Sequence, residues 1–82
     1  MTTVAPEESA VTDAEANAVV AAVARLPERE RLAVAYRYFA GFSEAEMVAA
    51  LGWPAGTVKS RLSRGVGRLR TLLADSLEVR DG

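Results

Sequence analysis

At 82 residues, half of them apolar, the chain has room for one small folded domain that buries only roughly 60–65% of its unfolded surface. Without cysteine or histidine there are no disulfides, no Cys-based zinc site and none of the commonest general acid–base, so neither an enzyme nor a cofactor is expected. The net charge of −1 excludes a uniformly basic nucleic-acid binder, and the lack of a bilayer-length apolar run or secretory signal predicts a cytoplasmic protein without membrane insertion.

Residues 1–11 hold Thr, Pro, Glu and Ser without periodicity and read as a flexible acidic leader or linker. Thr12 followed by Glu15 makes a capping box that opens a first helix over residues 13–25. Its apolar face is Val19, Val23 and Leu26, filled in by alanines. Pro27 stops that helix and suits the first turn of a second, residues 28–40, with Leu32, Tyr36 and Phe39 at core spacing. Gly41 ends it. Ser43 with Glu46 forms another capping box and opens a short third helix to Leu51, with Met47, Val48 and Leu51 inward. Gly52, Trp53 and Pro54 then make a turn, and Pro54 begins the fourth helix. A short helix, a tight Gly-containing turn and a basic helix have helix-turn-helix spacing. The expected fold is all-α, four helices ending in a helix-turn-helix of the winged-helix-like class without a wing, with the domain over residues 12–77 and a frayed tail at 78–82.

Charge is sorted along the chain. Residues 1–24 carry Glu7, Glu8, Asp13 and Glu15 and no basic residue, whereas residues 55–74 carry five basic residues and no acidic one. Clustered charge, not its total, is the footprint of nucleic-acid binding. At 100° per residue, Val58, Leu62, Val66, Leu69, Leu72 and Leu73 of the fourth helix share a sector about 120° wide. Gly56, Ser60, Ser63 and Arg64 point the other way, with Lys59 on one flank and Arg61 and Arg68 on the other. A helix that is apolar on one side and cationic with small residues on the other suits a DNA major groove. Arg70 lies near the edge of the apolar stripe and reads as a surface residue.

The segment Leu26-Pro27-Glu28-Arg29-Glu30-Arg31, then Arg37-Tyr38, Gly41-Phe42-Ser43 and Glu46-Met47, and above all the run from Leu51 to Gly65 (LGWPAGTVKSRLSRG), resemble region 4 of sigma-70-type factors, in particular the extracytoplasmic-function group. The resemblance covers about 50 of the 82 residues. It departs at Val48, where the family has alanine, and at Trp53, where it has a smaller aliphatic that here packs the turn or leans on a partner. Nothing resembles region 2, so an excised domain or a stand-alone region 4 protein is expected.

The resemblance implies recognition of the promoter −35 element by the fourth helix, in transcription initiation by an alternative sigma factor. Carried over by position, Thr57, Lys59, Ser60, Ser63 and Arg64 would face base edges or the groove walls. Arg61 and Arg68 would take phosphates, and Ser43, at a helix N-terminus, would cap its helix and could add a phosphate contact. Arg64, nearest the centre of the outward face among the arginines, is the candidate for guanine. The resemblance also implies docking to the β-flap of core RNA polymerase through Val19, Val23, Val34 and Tyr38, and an anti-sigma factor as a further partner. Two other readings are compatible with the residues. One is a LuxR-type output domain, which also carries a GTVK helix but reads near-palindromic sites as a dimer. The other is an interaction module that grips polymerase or an anti-sigma factor with little DNA contact.

Overall fold

The computed structural model describes the backbone of residues 13–81 and the side chains of residues 13–75. The expected leader and Thr12, one half of the first capping box, lie outside the described residues. Four helices follow in order: α1 (Asp13–Ala24), α2 (Glu28–Val34, continued by a π-turn, Ala35–Phe39), α3 (Glu44–Leu51) and α4 (Ala55–Asp81). Among the described residues there is no strand.

Local chemistry sets each boundary. Helix α1 closes in a tight turn where the N–H groups of Arg25 and Leu26 donate to the carbonyls of Ala22 and Val23 at 3.0 and 3.1 Å. Pro27 then occupies the N-cap of α2, with φ −55° and ψ 153°, and its carbonyl accepts from Arg31 N–H at 2.8 Å. Ser43 Oγ accepts from Glu46 N–H at 3.0 Å while Glu46 Oε1 accepts from Ser43 N–H at 2.7 Å, the reciprocal pair expected of a capping box. Gly52 closes α3 in the left-handed region, φ 72°, where a side chain would be strained. Pro54 precedes α4, and its carbonyl accepts from the N–H groups of Thr57 and Val58.

Two boundaries differ from the sequence expectation. The second helix does not stay α-helical to residue 40: Ala40 N–H reaches back five residues to Ala35 O at 3.0 Å, so each ring in this segment closes one residue later than in an α-helix. That turns the following side chains away from the 100° spacing that put Phe39 among the core residues. Phe39 is 57% exposed, whereas Tyr36 faces the core as its spacing predicts, edge-on to Phe42 with ring centroids 5.2 Å apart. The fourth helix also extends to Asp81, past the expected domain end at residue 77; after Gly67 no glycine or proline follows before Gly82.

The core is two clusters strung along α4. One gathers Ala33, Met47, Val58 and Leu62, with Tyr36, Phe42, Val48, Leu51 and Trp53 packed around them, and it fixes α3 against α4. The other joins Val23, Leu26 and Val34 to Val19, Leu69 and Leu72, and holds α1 and α2 on the later turns of α4. Between them Gly65 is buried against α2. A Cβ built there would lie 2.9 Å from Val34 Cγ2 and 3.2 Å from the Glu30 carbonyl, so the two helices meet at a distance only glycine allows. The Arg29 guanidinium lies 5.6 Å from the ring centroid of Trp53, tying the start of α2 to the helix-turn-helix turn.

Candidate nucleic-acid interface

The apolar sector of α4 is spent on both clusters, which leaves its opposite face to solvent. Lys59, Ser60, Ser63 and Arg64 are all exposed there, and Thr57 is half-buried at the start of the helix. Gly56 and Gly67 on the same face have nothing within 4 Å of where a Cβ would lie, so backbone is open at two points about three turns apart. Ser60 Oγ donates to Thr57 O at 3.3 Å, an in-helix bond that leaves its lone pairs outward. Arg64 has no hydrogen-bond or ion-pair partner among the described residues.

The two arginines expected on phosphates sit differently. Arg68 Nε donates to Glu30 Oε1 at 2.7 Å, and that carboxylate is only 4% exposed. Arg68 is therefore first an internal counter-ion, with the rest of its guanidinium outward, rather than a free surface cation. Glu30 lies three and four residues before Ala33 and Val34 on one helix face. That periodicity places it on the buried stripe of α2, and an acidic residue there requires a partner. Arg61 is half-buried, and its Nε is buried with no hydrogen-bond partner among the described residues. Its stem lies along the protein, and only the end of the side chain can reach a ligand.

Across the turn, α3 contributes more acid than its role suggested. The Ser43 hydroxyl is occupied by its own cap, and Glu46 fills the other half of that box. Glu44 extends from the first turn of α3 to α4, where its Oε1 accepts from Lys59 Nζ at 3.0 Å. Both side chains remain open to solvent, 41% and 72% exposed. Lys59 is thus brought to the outer face already paired. Sequence spacing alone could not find this contact, because 15 positions separate the two residues.

The four residues expected to meet a protein partner do not form one surface. Val23 and Val34 are core residues, 7% and 1% exposed, and Val19 packs beside them. Their helical periodicity marked the interior, as it does for most valines at this spacing. Tyr38 alone is exposed, at 62%, with the Arg37 guanidinium 5.7 Å from its ring centroid.

Comparison with known proteins places the helix-turn-helix, through the first half of α4, in one family. A family profile described as sigma-70, region 4 matches residues 16–69, from within α1 to the middle of α4. The chain is similar to an RNA polymerase sigma-E factor of Streptomyces antibioticus, 39% identical over 75 residues, covering 92% of this chain and 39% of that protein. It is similar to the ECF RNA polymerase sigma factor SigW of Bacillus subtilis, 33% identical over 72 residues, covering 88% of this chain and 38% of that one. The ECF RNA polymerase sigma factor RpoE of Cereibacter sphaeroides is 41% identical over 49 residues, 60% of this chain and 27% of its own length. The chain thus spans well under half the length of these relatives.

Proposed function

This chain belongs to the sigma-70 region 4 family, and we propose that it reads the −35 element of promoters as the recognition domain of an extracytoplasmic-function-type sigma factor. One observation carries the reading. The matched segment ends on α4, whose solvent face presents Lys59, Ser60, Ser63 and Arg64 with no acidic residue between positions 55 and 74. Small residues let the helix approach the groove floor, Ser63 offers a hydroxyl to either kind of base edge, Ser60 offers the lone pairs its in-helix bond leaves outward, and Arg64, without a partner among the described residues, suits the O6 and N7 of guanine. The free end of Arg61 and the outward part of Arg68 would meet phosphates on one groove wall.

The role is recognition without catalysis. Core RNA polymerase, through its β-flap, would hold the domain over the promoter, and an anti-sigma factor would compete for it. The exposed apolar side chains Tyr38, Phe39 and Val20 are the candidate contacts for such protein partners. Such a protein works in the cytoplasm, and among the described residues no helix is long and apolar enough to cross a membrane.

The test is fluorescence anisotropy of the chain against a library of −35-type duplexes at two salt concentrations. The expected result is selective binding to an asymmetric site, micromolar or weaker, falling steeply with salt as phosphate contacts dominate. Arg64→Ala should remove about 1–3 kcal/mol of discrimination at one position. Equal affinity for every duplex would overturn promoter reading and favour a domain that grips protein partners alone.

A further inference from the structure

The acid on this cationic face is the feature that promoter reading does not use. Glu44 is supplied from α3, and its carboxylate is held 3.0 Å from Lys59 Nζ at the edge of the proposed DNA surface. A carboxylate there repels phosphates and neutralises the first base-facing cation of α4, so it weakens binding to DNA in general. It is not needed to cap its helix, because Ser43 and Glu46 do that. Its effect on stability is small, since the ion pair is exposed and its place in the first turn of α3 adds only the modest attraction of the helix dipole. A group that costs affinity and adds little stability has a use if it discriminates between sequences.

We propose that Glu44 is a specificity-determining residue that, together with Lys59, reads one G·C pair as a unit. This inference rests on the promoter-binding reading. In the major groove the guanine O6 and cytosine N4 of one pair are hydrogen-bonded to each other, about 3 Å apart. They present an acceptor beside a donor. The Lys59 ammonium and Glu44 carboxylate are a donor beside an acceptor at the same spacing. Lys59 Nζ donates to guanine O6 and N7 while Glu44 accepts from the free N4 hydrogen of cytosine. Reversing the pair to C·G, or placing A·T with adenine in the guanine position, sets a donor against Lys59 and an acceptor against Glu44. T·A keeps the polarity at the central atoms but lacks N7 on that side, so it ranks second.

The test permutes each base pair of the selected −35 duplex in turn and measures binding of the 82-residue chain, wild type, Glu44→Ala and Lys59→Ala. For the wild type, one position should prefer G·C over C·G and A·T by roughly 5- to 100-fold. Glu44→Ala should bind most duplexes more tightly yet flatten that one position to within about twofold, leaving the position read by Arg64 unchanged. Circular dichroism of the variants checks that the fold is kept. If Glu44→Ala tightens binding to all duplexes equally with an unaltered preference profile, Glu44 only balances the Lys59 charge and the proposal fails while promoter reading stands. If the wild type selects no sequence at all, both fail together.

Discussion

A buried carboxylate and a buried glycine set the geometry between α2 and α4. Glu30 is 3% exposed, and its buried carboxyl group has the guanidinium of Arg68 as its partner. Arg68→Ala should therefore destabilise the domain by about 1–3 kcal/mol, less than a fully buried pair because Arg68 itself is largely in solvent. Urea unfolding would measure it, and Glu30→Gln, which keeps an acceptor and removes the orphan charge, should recover part of the loss in the Arg68→Ala background. At Gly65 two effects oppose each other. Alanine gains up to about 1 kcal/mol of helix propensity, but its Cβ would press on Val34 and the Glu30 carbonyl. Overpacking of this kind costs about 1–3 kcal/mol, so Gly65→Ala should lower the urea midpoint. Gly67→Ala, two residues on and with open space around it, should raise the midpoint by about 0.5–1 kcal/mol of stability.

Among the elements, α3 depends most on its cap. It is 8 residues long, shorter than an isolated helix that is stable in water. Its position relative to α4 comes from Met47 in the shared cluster and from the box at Ser43. Ser43→Ala should cost about 0.5–2 kcal/mol. If the Ser43 hydroxyl also touched a phosphate, DNA affinity would fall by more than the fraction unfolded explains, and binding and unfolding curves on one sample would separate the two losses. The capping box at Ser43, the left-handed glycine after Leu51 and the proline before α4 were legible in the sequence because each is a short-range rule acting within four residues. The π-turn was not legible. Nothing in the local run from Ala35 to Phe39 opposes an ordinary α-helix; the wider turn comes with Tyr36 in the core beside Phe42 and Phe39 turned outward.

The described residues form a thin plate built on one long helix. Helix α4, at 27 residues, is about 40 Å long, close to the largest dimension of 39 Å, whereas the smallest is 14 Å. Such a shape buries few side chains completely, and the core depends on a handful of them: Met47, Val34 and Val58 are the largest that are wholly enclosed. A domain of this size has a total stability on the order of 4–12 kcal/mol. Met47→Ala should remove about 2–5 kcal/mol of it and leave a substantial unfolded fraction, readable by circular dichroism at 37 °C. Because α3 and α4 share that cluster, the same variant should lose DNA binding along with fold.

The sequence by itself determined the helical class, the helix-turn-helix, the apolar stripe of α4 and the basic face opposite it. Those follow from periodicity and capping, which act through neighbours a few positions apart. The tertiary structure alone decided which charges on that face are free. Arg68 is drawn inward by a carboxylate 38 positions away, Lys59 is met by one 15 positions away, and Arg64 has no partner among the described residues. Charge pairing depends on distance in space, and only the packing of α2 and α3 on α4 brings those carboxylates within reach.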